Sequence, residues 1–459
     1  KTSKEPTKGE RDMKDFIRQA AHVKPDANQL RLITGTPFYA FVHFGPNTYT
    51  GAEWGHGTDS PAIFNPTELD CDQWCEAFKA AGMKGAVITA KHHDGFCLWP
   101  SKYTDYCIKN SPYKSGKGDV VREFSDACRR HGLKFGFYLS PWDRHSELYG
   151  SPEYNDYYKL QLTELLTNYG EVFHIWFDGA CGEGPSGKKQ EYDFDGYIEL
   201  IKKYQPNATI FNDRGNIRWC GNESGDARYA EWAVVPSELC PFCEIQTEPG
   251  PLAGNLSYMY NTDQNIGAMS NIIYSKGLVF APSEIDMSIR PGWFYRDTEQ
   301  AHSLEKLFDT YLNSVGANTT FNLNVPPMPN GKLNDNDIKR LNELGELIKN
   351  SFNTNLAEGK EITIEPYNGS ETQRVITIEL GERMKLNFLE LSENIAEGQR
   401  VENFIVQHRN EDKIWFNSFE GTTIGTKKIM KLHGLETDAV RILIVSSRDT
   451  PEINKIALY

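Results

Sequence analysis

The sequence predicts an α/β protein, a (β/α)8-type (TIM-like) catalytic barrel followed by an all-β sandwich. Three observations lead there. Between Phe38 and about Asn324, short and nearly continuous apolar runs alternate with amphipathic stretches, the pattern of parallel strands buried on both faces between helices. Several of these runs end in polar or ionisable residues, as strands do at the catalytic face of a barrel. After Phe352 the pattern becomes short alternating segments separated by Gly, Asn, Asp and Glu, which reads as a sandwich. The 459 residues leave room for a barrel domain over 1–351, with a polar N-terminal extension, and a sandwich over 352–459.

The first strand is the run Tyr39 to Phe44. A helix from Asp72 to Ala81, which Gly82 can terminate, precedes the second, Ala86 to Ala90. A helix capped by Asp119 and ending near His131 leads to the third, Leu133 to Leu139. The stretch from Tyr154 to Tyr169 leads to the fourth, Val172 to Phe177, and Ala208 to Phe211 is the fifth. Gly- and Pro-rich segments then blur the pattern, and the sixth and seventh strands are placed near Tyr229–Trp232 and Leu278–Ala281. A helix from about Thr298 to Val315 and the run Thr319 to Leu323 complete eight units, and Ile338, Leu341, Leu344, Leu347 and Ile348 mark a final helix against the barrel's outside. The sandwich strands are placed at Glu361–Ile364, Val375–Leu380, Phe388–Leu391, Phe404–His408, Ile414–Phe416, Thr422–Met430, Val440–Val445 and Ile453–Leu458.

Composition narrows the partners. Lys and Arg total 49 against 63 Asp and Glu, a formal charge of -14, which argues against nucleic-acid backbones and anionic bilayers. No apolar run approaches the ~20 residues that span a membrane. The 24 Phe, 22 Tyr and 9 Trp suit large cores or flat sites that stack on sugars. The nine cysteines show no disulfide framework, and Cys240-Pro241-Phe242-Cys243, a half zinc site or redox pair on paper, reads as casually placed thiols. The polar opening Lys1 to Pro6 is what a mature or a trimmed chain shows after loss of a targeting peptide.

In a barrel, strand C-terminal ends form the catalytic face. Strand one ends in His43, strand two leads into His92-His93-Asp94-Gly95, strand three carries Tyr138 and runs into Ser140-Pro141-Trp142-Asp143, strand four ends in Asp178-Gly179, and strand five empties into Asn212-Asp213-Arg214-Gly215. Asp178 is placed either as a rigidly held nucleophile or as the cap of its own loop. His92 and His93 can both reach a ligand where the strand turns into its loop. They suit hydroxyl recognition, since neutral imidazole donates and accepts together, or a core role, or metal binding with His43, Asp94 and His145. Retaining glycoside hydrolysis needs a second carboxyl group about 5–5.5 Å from the nucleophile. Glu223, in a glycine-flanked loop, is one candidate, with Glu284 and Glu231 as alternatives.

His43-Phe44-Gly45, Glu53-Trp54, Lys91-His92-His93-Asp94-Gly95-Phe96, Trp176-Phe177-Asp178-Gly179 and Pro291-Gly292-Trp293-Phe294-Tyr295 together resemble the α-L-fucosidases of glycoside hydrolase family 29, over most of residues 37 to 350. The resemblance implies a retaining exo-glycosidase without cofactor or metal, in which Asp178 attacks C1 of α-L-fucose. It implies His43, Glu53, Trp54, His92, His93, Tyr138, Arg214 and Trp293 as fucose-binding residues. The loop around Glu223 resembles that of the branch preferring α-1,3/1,4-linked fucose, as in Lewis-type glycans, where a glutamate here is the acid/base. Fucosylated oligosaccharides or glycoconjugates are then the partners, and a periplasmic or secreted location is expected. Competing expectations are a non-catalytic glycan-binding protein and a metal-dependent barrel hydrolase built on His43, His92, His93 and Asp178.

Overall fold

A computed structural model describes residues 7–254 and 264–459; the opening Lys1 to Pro6 lies outside them. Eight parallel strands form the barrel: β1 (Phe38–Val42), β2 (Gly85–Lys91), β3 (Lys134–Leu139), β4 (His174–Trp176), β5 (Thr209–Phe211), β6 (Arg218–Trp219), and, after a small hairpin, β9 (Ser283–Ser288) and β10 (Thr319–Asn324). Their order is β5-β4-β3-β2-β1-β10-β9-β6, and a parallel bridge from Phe211 to Ile217 brings the two ends together, so the ring is nearly closed. Alternation sets the two faces of each strand. In β2, Ala86, Ile88 and Ala90 pack with the helices, while Val87 joins Tyr39, Phe41, Tyr138, Trp176 and Phe211 inside the barrel.

The helices follow from local signals. Asp70 and Asp119 cap α4 (Cys71–Ala80) and α5 (Val120–Arg130) by accepting the backbone N–H of Gln73 and Arg122. Gly82, at φ +90°, ends the first of these in a left-handed turn open to glycine at no steric cost. Further round the barrel come α6 (Pro152–Asn168), α7 (Phe194–Tyr204), α9 (Leu304–Leu312) and α10 (Asp335–Ser351), with the short α3 (Asn47–Thr50) and α8 (Met269–Ile272) in loops. The segment read as a polar extension is instead helical, α1 (Lys8–Ala21) and α2 (Ala27–Gly35), each opened by a capping box. Leu32 of α2 packs with Tyr39, Phe41 and Val87 and so closes the barrel floor.

Two strand placements are corrected. Tyr229–Trp232 forms no strand, and the sixth barrel strand is β6, eleven residues earlier at its start. Leu278–Phe280 is a strand, β8, but it pairs antiparallel with β7 (Val234–Pro236) outside the barrel, and the seventh barrel strand is β9. The physical reason lies in β9 itself: Glu284, Asp286 and Ser288 share the inward face while Ile285 and Met287 pack with the helices, so it lacks a continuous apolar run such as that of β1.

The C-terminal sandwich has six strands rather than eight: β11 (Glu361–Tyr367), β12 (Ser370–Glu393), β13 (Val401–Arg409), β14 (Trp415–Gly421), β15 (Lys428–Ser447) and β16 (Ile453–Leu458). Thr422–Lys427 is not strand. The long β12 and β15 pair along their lengths, with register breaks between Glu379 and Met384 and again past Leu386. Ile376 and Ile378 before these breaks share one core with Leu389 and Leu391 beyond them, so each long strand serves both layers. Where this unit meets the barrel, Lys427 O accepts from Asn318 N–H and Gly316 O from Ile429 N–H, while Gln399 bonds Ala233 N–H and Glu231 O.

Candidate active site

Two residues beyond β4, Asp178 lies at the barrel mouth with its side chain 26% exposed, so a solute can reach it. Its Oδ2 accepts from Tyr138 Oη at 2.9 Å and lies 3.5 Å from His93 Nε2. Its Oδ1 accepts the N–H of Ala180 at 2.9 Å. One oxygen thus caps its own loop, and the other faces Tyr138 and His93 at the mouth. Burial, reinforced by the charge of Asp178, raises the Tyr138 phenol well above its ordinary value, so it acts as a donor here.

Burial favours the neutral form of all three histidines. Burial lowers His43 to about 4, carries His92 well down, and lowers His93 despite the opposing charge of Asp178. Ser140 Oγ donates to Trp142 O, so it accepts from His93 Nδ1 at 2.7 Å, which leaves Nε2 as a lone pair facing the mouth. Asn324 Nδ2 donates to Trp293 O and Ser288 Oγ, and its Oδ1 accepts from His43 Nδ1 at 2.8 Å, so His43 Nε2 is likewise a lone pair. His92 Nδ1 is buried without a hydrogen-bond partner.

Around these groups stands an aromatic wall. Trp293 lies 5.1 Å from His43 between ring centroids, His92 stacks on Tyr138 at 5.6 Å, and Trp142 packs against both His93 and the exposed Trp54. Trp293 ties both rim carboxylates together: its backbone N–H donates to Glu53 Oε2 at 3.1 Å and its Nε1 to Glu223 Oε2 at 3.3 Å. Glu53 also pairs with Arg296 at 2.8 Å. Burial raises its carboxyl, partly offset by the Trp293 N–H and by Arg296.

His43, Glu53, Trp54, His92, His93, Tyr138, Asp178, Glu223 and Trp293 thus form one connected set. Arg214 stands apart, its guanidinium 5.7 and 5.8 Å from the Phe194 and Phe242 rings in a neighbouring cleft. The alternative acids are occupied elsewhere. Glu284 is fully buried among Tyr39, His174, Trp176 and Asn322, and Glu231 is held by Arg218 and the N–H of Arg228. His145 stacks on Tyr106 and bonds Gly57 O, and Asp94, pushed up to about 7 by burial, accepts from Phe96 N–H. Among the described residues no three His, Cys, Asp or Glu side chains gather so as to hold a metal ion.

Sequence reasoning missed Asp286 and Asn324. Asp286 is buried, accepts from Trp219 Nε1 at 2.8 Å, and is pushed well up first by burial and then by the charges of Glu284, Glu223 and Asp178, which places it between the mouth and the floor. The signal was present in Glu284-Ile285-Asp286-Met287-Ser288, whose period of two aims the polar side chains to one face.

Comparison with known proteins agrees with this geometry. The family model described as Alpha-L-fucosidase matches residues 34–351. Alpha-L-fucosidase 1 of Arabidopsis thaliana is 38% identical over 463 residues, covering 95% of this chain and 87% of the relative. The crystal structure of a glycoside hydrolase 29 family member from an unknown rumen bacterium superposes with a TM-score of 0.84 at 38% identity, over 96% of this chain and 78% of that one. A Ruminococcus gnavus GH29 fucosidase in complex with fucose superposes at 0.81 and 31% identity, over 95% of each chain.

Proposed function

Because the chain belongs to the α-L-fucosidase family, and is thus a glycoside hydrolase, we propose that it releases terminal α-1,3/1,4-linked L-fucose with retention of configuration. Asp178 attacks C1 of the fucosyl group while the Glu223 carboxyl protonates the departing glycosidic oxygen, giving a covalent fucosyl-enzyme. Glu223, now a carboxylate, takes a proton from water, which attacks C1 and frees Asp178. The observation that carries this reading is the pairing of a doubly held, reachable Asp178 with a rim where Trp293 binds both Glu53 and Glu223.

Fucose is the sugar that the Ruminococcus gnavus relative holds in its complex. Here the lone pairs of His43 and His93 would accept from its hydroxyls, Tyr138 would share its proton between Asp178 and a hydroxyl, and Trp54 and Trp293 would cover apolar sugar edges. Arg214 belongs in this reading to the neighbouring cleft and the sugars beyond fucose. The linkage preference is supported by the likeness of the Glu223 loop, and an extracytoplasmic location by where fucosylated glycans occur. We take 1–351 as the catalytic domain and 352–459 as its brace.

Asp178→Ala tests the chemistry. Its turnover of an aryl α-L-fucoside should fall on the order of 10⁴-fold or more, and azide should restore turnover by forming β-fucosyl azide. A variant retaining most of its rate would end the proposal. A screen of α-1,2, 1,3, 1,4 and 1,6 fucosyl oligosaccharides tests the linkage, and equal rates on all four would refute the preference.

A further inference from the structure

We propose that Cys240 and Cys243 form a reversible disulfide in the wall of the cleft beside the active site. Cys240-Pro241-Phe242-Cys243 closes as a β-turn, with Cys243 N–H donating to Cys240 O at 3.1 Å and Pro241 at the position where its fixed φ suits the turn. Such a turn confines the two Cα atoms to within about 7 Å, the span a disulfide bridges without moving backbone. The two Sγ atoms are 3.3 Å apart, and both thiols point to one acceptor, Gly215 O, at 3.0 and 3.6 Å. Cys240 is buried and Cys243 is partly exposed, so Cys243 is the one an external reagent meets first.

The chemistry balances with an external disulfide such as oxidised glutathione. The Cys243 thiolate attacks one of its sulfurs and expels a thiol, and the Cys240 thiolate then attacks the Cys243 sulfur of the mixed disulfide and expels the second thiol. Two protein thiols lose two electrons and two protons, and one external disulfide becomes two thiols. The hydrogen bond with Cys240, followed by burial, raises the Cys243 thiol, so the exchange should speed up as the pH is raised.

The two residues inside the turn give the bond a consequence. Pro241 and Phe242 line a cleft of about 630 Å³ together with Asp213, Arg214, Trp219 and Gly221. A closed disulfide would stiffen that wall and take both S–H donors from Gly215 O, just before the strand β6 that leads to Glu223. This second part rests on the glycan reading of the cleft, whereas the bond itself does not.

The test oxidises the full-length enzyme with glutathione disulfide and counts thiols under denaturing conditions. Oxidation should lower the count from nine by the two thiols of the pair, leave the peptide holding both cysteines about 2 Da lighter, and reverse with dithiothreitol. Cys243→Ser should lose no thiol on the same treatment. An unchanged count, or a bond mapped to another pair, would overturn the proposal. The oxidised enzyme should also show a changed KM for a fucosylated oligosaccharide and an unchanged KM for an aryl fucoside. A disulfide that forms but alters neither KM would refute the bracing role alone.

Discussion

The floor and the mouth of this barrel are built from the same kinds of residue and do opposite things. On the floor, Glu284 is wholly buried and receives Tyr39, His174, Trp176 and Asn322, so every direction around its carboxylate is filled. At the mouth, Glu223 is exposed with one bond from Trp293, and Asp178 keeps a quarter of its surface open. A saturated carboxylate can hold a barrel together but cannot pass a proton to a substrate. An undersatisfied one has the capacity that chemistry needs. Asp286 lies between the two regions, buried like the floor and under the charge of the mouth.

The comparison can be broken at several points. The largest expected effect is at the mouth: Glu223→Ala should lower hydrolysis of a fucosylated oligosaccharide by about 10²–10⁴-fold, with far less loss on an aryl fucoside whose leaving group needs no proton. Equal losses on both substrates would remove Glu223 from the acid role. The matching change on the floor should act on stability instead. Glu284→Ala strands the donors of Tyr39, His174 and Trp176 and should cost about 3–5 kcal/mol in urea unfolding. If it folds normally and loses only activity, the division between floor and mouth is wrong.

Two smaller effects sharpen the comparison. Tyr138→Phe removes one charge-assisted bond from Asp178 and should cost about 1.5–3 kcal/mol of transition-state stabilisation, read in kcat/KM. The last is a pH effect. His43 is lowered to about 4 in the folded state, so between its ordinary range and that value the unfolded chain binds the extra proton. His43 should therefore cost nothing above about pH 6.5 and lower stability progressively toward pH 4, its share of the slope being up to about 1.4 kcal/mol per pH unit. His43→Gln should flatten that part of a denaturation series, and an unchanged slope would show that His43 is not the titrating group.

Legibility in the sequence followed the local signal. β1 to β5 were readable because each is largely an apolar run flanked by helix caps such as Asp119 or terminators such as Gly82, and β10, rich in Thr and Asn, because a helix precedes it and it completes the count of eight. β6 and β9 were not, since one is two residues long and the other turns Glu284 and Asp286 into the interior. The N-terminal helices were hidden by their polarity: α1 buries only Phe16, Ala20 and Ala21. In the sandwich, eight predicted strands became six because the bends in β12 and β15 look like turns without ending the strand.

The same division holds for the site. Where a strand ends and which residue stands there are properties of neighbouring residues, so the sequence alone placed His43, His92, His93, Tyr138 and Asp178 at one rim. Which glutamate is left free at the rim was decided only by the tertiary structure. The hydrogen bonds that fill Glu284 come from β1, β4 and β10, and the bond that draws Glu223 to the rim comes from Trp293, far along the chain. Saturation of a polar group is a sum over partners remote in sequence, and no local pattern contains that sum.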